Sequence, residues 1–478
     1  MKKATIKASL IAIASAIAAM GGVATAQDSW IENWKTFAAE SGKPEHAAWA
    51  ARIDTDEVRS LAGEWEKYRG YTASSLIAEA SDIPDQLKTP GFVINAENVD
   101  SIPGVENYLP SFWIDRLKSD KPWLKIQGIR IVPSNHYYMH KARLDATKAK
   151  PSGYFSIDEL GNVRDSEGGL GTLTGDGALP FISPKNGDEL NATFVAHGVG
   201  LDDLFFDPVT MTACGASNNV ERSYGVELWW RRMAGRVGDE PFGNVDGFEG
   251  VQEVGSLLIK SPRDVRGLAG VRKRYADAEV EDDFKLFIPT LRRTRQLSGT
   301  NGQDPIAAGL EVTWDDWRSY WTKTDKRAFD YNLVGEGFVL ALPEVGAEYD
   351  PLAMADDACG IATSDDGIID MELRPVWLLE IDDKTGNYQY SKRRIYLDKE
   401  LYYTQFEEMY DRNGELWRVW DDSRWWEPET GRAQWKSLFV GNVISNRHSG
   451  LLFEPNWGDG RANMSNSLFD IDQLRDRR

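Results

Sequence analysis

The histidines are the first residues to consider for chemistry, and the chain has five, at positions 46, 136, 140, 197 and 448. His136 and His140 have the i, i+4 spacing of a helical zinc site, but that motif needs a glutamate after the first histidine, and Tyr137 stands there. The Tyr137-Tyr138-Met139 stretch between them favours strand or loop, where this spacing does not bring two imidazoles together. We therefore predict no metal site and no cofactor.

Nucleophilic and acid–base catalysis have no better support. The chain lacks a G-x-S-x-G elbow and the S-x-x-K pair with its partner motifs. Adjacent acids are common, as at Asp315-Asp316 and Asp421-Asp422, and most such pairs are expected in solvated turns. No catalytic residue is predicted. A hydrolase or sugar-acting enzyme with a dispersed site stays open, because triad members need not be adjacent in sequence.

A basic cluster stands out in the second half of the chain. Its members are Arg263, Arg266, Arg272, Lys273, Arg274, Arg292, Arg293 and Arg295. They could pair across strands with Asp264, Asp277 and the acids at 281–283. They could instead form an anion site for a ligand headgroup, a membrane surface or an acidic partner. We expect segments 263–274 and 285–295 to form adjacent strands, which would gather the arginines in one neighbourhood.

Aromatic residues offer a second kind of site. Trp314, Trp317 and Trp321 have helical spacing, and tryptophans crowd between 417 and 435. Such residues can belong to a packed hydrophobic core, or they can line a cavity that binds an apolar or amphipathic ligand. The candidate ligand-binding residues are four aromatic and six basic ones: Trp377, Tyr396, Tyr410, Trp417, Arg263, Arg266, Arg274, Arg292, Arg293 and Arg295.

Composition and the amino terminus indicate which partners and which cellular location to expect. The 478 residues include 75 Asp plus Glu against 55 Lys plus Arg, and the net charge of −20 disfavours nucleic acid. Residues 1–26 combine three lysines, a short apolar run and Ala24-Thr25-Ala26, which predicts a cleavable signal peptide and a periplasmic destination. The only two cysteines, Cys214 and Cys359, are then expected to form a structural disulfide, with two separate thiols as the alternative.

The sequence predicts a helical section and a sheet domain that would position these residues. Residues 27–123 read as an N-terminal helical and irregular section, with Trp30, Trp34 and Phe37 at helical spacing. Residues 124–478 read as an antiparallel sheet domain with long loops, and the stretch 150–200 is expected to be one of them. Alternation is clear at 284–288 and 402–410, and Asn413-Gly414 predicts a hairpin turn.

Several motifs resemble the domain-of-unknown-function family 1329. They are the stretches at 261–264, 274–275, 287–298, 393–398 and 409–418, supported by 94–98, 179–181 and 469–475. The resemblance implies a secreted Gram-negative protein, described as outer-membrane lipoprotein-sorting-like. It implies a β-rich α+β fold: a strongly curved antiparallel sheet, an incomplete barrel like that of the periplasmic lipoprotein carriers, with covering helices and the N-terminal helical section.

The resemblance also implies partners, namely a resistance-nodulation-division exporter and an outer-membrane protein. From the sequence we expect a periplasmic binding or carrier protein for an apolar or amphipathic small molecule or lipid. A hydrolase with a dispersed site and an adaptor subunit of an envelope transporter are the alternatives. An adaptor would show a large exposed apolar patch over a solid interior.

Overall fold

The computed structural model describes residues 26–121, 123, 125–197, 201–297, 302–317, 319–349, 359, 367–455 and 464–477. The predicted signal peptide lies outside these residues except for Ala26. Among the described residues, no helix is both long and apolar enough to cross a membrane.

Six α-helices precede the first long strand. They are α1 (Ala26–Ser41), α2 (Pro44–Ile53), α3 (Asp56–Arg69), α4 (Ala73–Glu79), α5 (Asp85–Lys88) and α6 (Ser111–Lys118). Local chemistry sets several of their ends. The Thr55 side chain accepts from the Val58 amide at the start of α3, and Gly70 ends that helix in the left-handed conformation with φ 88°. Thr72 and Ser75 form a reciprocal capping box at α4.

Four further helices lie later in the described chain. They are α7 (Lys141–Lys148), α8 (Gly171–Thr174), α9 (Gly187–His197) and α10 (Ile471–Arg475). The helix α9 and two short strands fall in the stretch 150–200, so the expectation of one long loop there is wrong. The eleven residues of α9 have Asp188 and Glu189 in the first turn and His197 in the last, an order that suits the helix dipole.

The described part of the chain contains seventeen strands. They are β1 (Val93–Ile94), β2 (Gly128–Val132), β3 (Ser156–Ile157), β4 (Val163–Arg164), β5 (Asp203–Cys214), β6 (Val220–Arg232), β7 (Val251–Ser261), β8 (Ala269–Tyr275), β9 (Asp283–Ile288), β10 (Arg293–Leu297), β11 (Phe329–Ala341), β12 (Ile368–Asp383), β13 (Lys392–Asp398), β14 (Thr404–Tyr410), β15 (Leu416–Glu427), β16 (Arg432–Asn442) and β17 (Arg447–Pro455). As predicted, β14 and β15 are joined by a turn in which Gly414 has φ 76°.

Fifteen of these strands form one sheet. Its order is β1-β2-β12-β13-β14-β15-β16-β17-β5-β6-β7-β8-β9-β10, with β11 also paired to β12, while β3 and β4 form a separate ribbon. All pairs in the large sheet are antiparallel except β2 with β12, so the sheet is mixed rather than wholly antiparallel. The β1 strand comes from the predicted N-terminal section but pairs within this sheet.

The sheet is strongly curved. Strands β9 and β12 are ten steps apart in the sheet order, which would separate them by about 48 Å in a flat sheet. Nevertheless, Phe284 of β9 lines the same cleft as Phe329 of β11 and Tyr388, which follows β12. The two ends of the sheet therefore approach each other without pairing. The predicted fold class, a β-rich α+β protein with an incomplete barrel and covering helices, is confirmed.

The inner face of the curved sheet is filled rather than hollow. Helices α1, α2 and α3 insert Trp30, Trp34, Trp49 and Trp65 into a core that they share with most of the strands. The outer face is covered at one end by α6, whose Trp113 indole donates to Asp421 of β15 at 2.9 Å. At the other end it is covered by α10 and the residues before it.

The segment 302–328 also lies on the inner face. Trp314, Trp317 and Trp321 belong to it, and none of them is in a helix, so the helical interpretation of their spacing is wrong. Two glycines explain the arrangement. A side chain at Gly270 would come within 2.8 Å of the Trp314 ring, and one at Gly255 would come equally close to Trp321. Each indole therefore rests against a strand where no side chain stands.

Candidate functional site

A cleft of about 350 Å³ lies where the two ends of the sheet approach each other; we call it the seam cleft. Its apolar and aromatic lining consists of Phe284, Ala328, Phe329 and Tyr388. Uncharged polar side chains come from Gln303, Thr322, Thr385 and Asn387. Charged side chains come from Arg272, Glu281, Asp282, Asp315, Lys323 and Asp325. Strands β8 and β9 supply one wall, and β11 with the β12–β13 turn supplies the other. Residues 302–328 form the floor between them.

Aromatic rings form the apolar part of the seam cleft. Phe329 and Tyr388 meet edge to face with ring centroids 5.2 Å apart. Phe284 has the same relation to Trp314 at 5.2 Å, so the floor supports it from behind. The Tyr388 hydroxyl accepts from Arg393 at 2.8 Å, which fixes its orientation. Each ring of the apolar wall is therefore packed against, or hydrogen-bonded to, a neighbouring side chain.

The charged part of the seam cleft is organised around one buried arginine. Arg272 donates to Asp282 at 3.0 Å and to Asp315 at 2.9 Å. Burial raises the pKa of Asp315, and Arg272 opposes that rise without cancelling it. For Asp282, burial acts in the same direction, but Arg274 and Arg272 outweigh it and hold the pKa below its usual value.

Lys323 completes the charged wall. Its ammonium donates to the carbonyls of Tyr275 at 2.9 Å and Val280 at 2.7 Å, and it lies 3.6 Å from Asp282. Burial lowers the pKa of Lys323 to about 8. The ammonium already has these partners, so it positions the Tyr275–Val280 turn at the cleft and is engaged there.

Behind the aromatic wall lies a network of buried arginines and carboxylates. Three arginines organise it: Arg393 with Asp316 and Glu407, Arg424 with Glu344 and Asp422, and Arg374 with Asp398 and Glu400. Burial raises the pKa of Glu407 to about 8 and that of Glu344 to about 7. None of these groups lines the seam cleft, so the network supports the wall and is not exposed to a ligand there.

Sequence reasoning missed both the seam cleft and this network. Charged residues such as Arg393 and Glu407, which lie inside strands that are otherwise apolar or aromatic, were the one sign of this network in the sequence. An alternating pattern shows which face such a residue takes. It does not show that Asp316, 77 positions before Arg393, lies 2.6 Å from its guanidinium.

The structure divides the predicted basic cluster into two groups. Arg272 and Arg274 are buried and bond to Asp282. The other five candidate arginines are exposed and lie in two turns: Arg263 and Arg266 between β7 and β8, and Arg292, Arg293 and Arg295 in and after the β9–β10 turn. As expected, the two segments form adjacent strands, β8 and β9. Two of the arginines are buried there and five are exposed at one end of the sheet, and their role in ligand binding stays a prediction.

The four candidate aromatic residues do not line the seam cleft either. Trp377 stacks on Tyr402 with centroids 5.4 Å apart, within the inner core. Tyr396 packs near Phe406 on the outer face, under α6.

The remaining two candidates also have partners of their own. The Tyr410 hydroxyl donates to Glu408 at 2.8 Å, and Trp417 lies 5.5 Å from the Tyr390 ring. Together with Trp377 and Tyr396, they are spread over separate parts of the sheet, and their role in ligand binding stays a prediction.

The two cysteines are joined in the structure. Cys214 ends β5, and its Cα lies 5.7 Å from that of Cys359, with a disulfide between the side chains. These sulfurs and His448 are the one group of potential metal ligands that converges among the described residues. Because the sulfurs are bonded to each other, this group does not offer thiolates to a metal. His136 is buried beside Glu400, at 3.7 Å, and His140 caps α7.

Comparisons with known proteins identify the family. A search of curated proteins found no significant match. Three solved structures are similar at low identity. The first is an outer membrane lipoprotein-sorting protein domain, described as putative, from Vibrio parahaemolyticus, with 17% identity, coverage of 60% of this chain and 97% of that one, and a TM-score of 0.41. The second is a DUF1329 family protein from Desulfovibrio piger, with 15% identity, coverage of 60% and 96%, and a TM-score of 0.41. The third is a LolA superfamily protein from Nitrosomonas europaea, with 11% identity, coverage of 59% and 99%, and a TM-score of 0.35.

The assignment rests on the match to a family model. That model, described as "Protein of unknown function (DUF1329)", matches residues 93–466, which is most of the chain and includes every stretch that carried the resemblance in the sequence except 469–475. The chain belongs to the DUF1329 family.

Proposed function

We propose that this protein binds an apolar or amphipathic small molecule or lipid in the seam cleft and carries it through the periplasm. The observation that supports this most directly is the seam cleft itself. Its volume of about 350 Å³ falls within the range of small-molecule sites, and its lining combines aromatic rings with a few fixed polar groups. Burying a few hundred Å² of apolar surface there would supply several kcal/mol, at about 25 cal/mol per Å².

The charges of the seam cleft indicate how a ligand would be oriented. Arg272 is ion-paired with Asp282 and Asp315 along one side, while Phe329 and Tyr388 form the other. An amphipathic molecule would place its apolar part against the rings. Its polar part would lie near the remaining charged groups at the rim, Glu281 and Asp325.

A hydrolase is supported less well. Acid–base chemistry on a bound molecule needs carboxylates within reach of that molecule. The carboxylates of the buried network do not line the seam cleft. Of the four that do, Asp282 and Asp315 are engaged by Arg272 and Asp325 is engaged by Arg327, which leaves Glu281 alone among the described residues. Asp282 is a poor proton acceptor, because its ion pairs with Arg274 and Arg272 stabilise the charged form and hold its pKa below the usual value.

An adaptor subunit is also supported less well. Such a role needs a contiguous apolar surface. The large apolar side chains that are clearly exposed among the described residues come from six separate segments: Val220, Phe242, Val280, Leu291, Val334 and Ile444.

The periplasmic setting is part of the proposal. Residues 1–26 have the pattern of a cleavable signal peptide, and a disulfide between the only two cysteines suits an oxidising compartment. Work alongside a resistance-nodulation-division exporter and an outer-membrane protein is inferred from the family resemblance.

The decisive experiment pairs native mass spectrometry of gently purified protein with uptake of N-phenyl-1-naphthylamine, a neutral apolar fluorescent probe. Ala328 lines the seam cleft, so Ala328→Trp should fill it and weaken probe binding at least tenfold. The matched control is Ala78→Trp, because Ala78 lines a separate groove of about 270 Å³ near α4 and β2.

Two outcomes would overturn the proposal. Protein that carries no bound molecule and takes up no probe would not be a carrier of apolar cargo. Probe binding that is lost in Ala78→Trp but kept in Ala328→Trp would place the site in the N-terminal groove instead.

A further inference from the structure

The sheet carries five exposed arginines at one end. Arg263 and Arg266 lie in the turn between β7 and β8, and three more lie in or just after the turn between β9 and β10: Arg292, Arg293 and Arg295. Across the described residues, none of the five has an acidic partner within ion-pairing distance, whereas Arg272 and Arg274 on the neighbouring strand β8 are both paired with Asp282. We call these five residues the arginine patch.

Sheet register places the two turns side by side. Strands β7 and β9 both pair with β8 in antiparallel fashion, so the end of β7 and the end of β9 lie at the same end of the sheet. Two strand spacings separate the turns, which is about 10 Å. The arginines therefore form a single surface although about thirty residues separate Arg263 from Arg293.

The acids near the arginine patch are already engaged. Asp264, in the β7–β8 turn itself, is bonded by Arg222. Glu227 is likewise paired with Lys260, next to the β7–β8 turn. The patch is therefore a concentrated positive surface on a chain with a net charge of −20, and among the described residues it has no ion-pair partner.

An apolar side chain stands at the tip of the same surface. Leu291 is 55% exposed and directly precedes Arg292 and Arg293. An isolated leucine between arginines suits the boundary between lipid headgroups and acyl chains, where the leucine inserts and the guanidiniums contact phosphates. Charged residues on β10 could also serve only to prevent edge-to-edge pairing. That role does not account for Leu291 or for the arginines of the β7–β8 turn.

We propose that the arginine patch and Leu291 form a docking surface for a membrane that contains anionic phospholipid. The surface lies where β9 ends at Ile288, whereas Phe284, which lines the seam cleft, stands near the start of the same strand. The docking surface and the seam cleft are therefore at opposite ends of β9. The proposal does not depend on which ligand, if any, the seam cleft holds.

Vesicle flotation with the purified full chain tests this proposal. Vesicles of phosphatidylcholine with and without phosphatidylglycerol separate charge-dependent binding from any other binding. Each arginine near an anionic surface strengthens partitioning about fivefold, so R292Q/R293Q/R295Q should weaken binding to the anionic vesicles roughly a hundredfold. High salt should weaken the wild-type protein in the same way. Leu291→Ser should cause a smaller, salt-independent loss.

The control removes the same three charges elsewhere. Lys67, Lys125 and Lys185 are exposed and have no ion-pair partner among the described residues. K67Q/K125Q/K185Q should bind like the wild-type protein, with an unchanged thermal midpoint. Equal weakening by both triple variants would mean that only net charge matters. No binding to anionic vesicles at low salt would overturn the proposal and leave an acidic protein as the partner to examine.

Discussion

Replacement of Arg393 by methionine should be among the most destabilising single changes in this protein. Arg393 lies on β13 and is 1% exposed. Its guanidinium donates to Asp316 at 2.6 Å, to Glu407 at 2.7 Å, to the Tyr388 hydroxyl at 2.8 Å and to the Ser319 carbonyl at 3.1 Å. It therefore connects the floor of the seam cleft to the sheet.

The expected cost of Arg393→Met is about 3–5 kcal/mol in the free energy of unfolding, because the change leaves buried carboxylates without their counter-charge. Glu407 can reduce this cost by taking up a proton. Burial already raises its pKa to about 8, above the value in the unfolded chain, and loss of the guanidinium raises it further. Stability gained by that proton is present at low pH and is lost as pH rises through the folded-state pKa. The cost should therefore be smaller at about pH 6 than at about pH 9.

Urea denaturation followed by tryptophan fluorescence measures the effect. The matched control is Arg394→Met, because the neighbouring guanidinium is partly exposed and pairs with Glu380 at 2.6 Å, which predicts a cost of about 1 kcal/mol or less. In a double-mutant cycle, Glu407→Gln should cost less in the Arg393→Met background than alone. If Arg393→Met and Arg394→Met have equal costs, or if the cost does not depend on pH, the account of this network is wrong.

Two further predictions concern the disulfide and a buried histidine. Replacing Cys214 and Cys359 by serine should lower the free energy of unfolding by about 5 kcal/mol in the chain-entropy model, because the bridge spans 145 residues; denaturant titration measures this, and an unchanged midpoint would contradict it. His448 packs against both Trp123 and Phe439, and burial lowers its pKa to about 4, below the ordinary 6.5. Its contribution to stability is therefore lost as pH falls through that interval. His448→Phe should therefore flatten the acid side of a plot of thermal midpoint against pH, and identical acid sides would argue against this assignment.

Local sequence patterns predicted the elements well where one short segment contains the whole signal. Alternation at 284–288 found β9, and Asn413-Gly414 found the turn that joins β14 and β15. The i, i+4 step from Trp30 to Trp34 found α1. In each case the apolar face and the turn chemistry act within a dozen residues, so tertiary contacts reinforce the local preference.

The same patterns failed where distant segments decide the structure. The spacing of Trp314, Trp317 and Trp321 is that of a helix, yet the segment is not helical. The rings of Trp314 and Trp321 pack where Gly270 on β8 and Gly255 on β7 have no side chain, and this packing decides the local structure. The seam cleft could not be predicted either. It exists because β9 and β11 approach each other without pairing, and nothing in either segment encodes that distance.

The order of strands in the sheet constrains how the chain can fold. Strands β5 to β10 and β12 to β17 are two meanders, each contiguous in sequence, and they meet only where β5 pairs with β17, with Cys214 opposite His448. During synthesis or export from the amino terminus, the first meander is complete well before β17 emerges. Until then β5 presents an unpaired edge, which is the kind of surface that recruits other strands. Closing a contact across more than two hundred residues is also entropically slow. This protein should therefore acquire its native sheet only after nearly the whole chain has emerged, and it should depend on a holding chaperone while it waits.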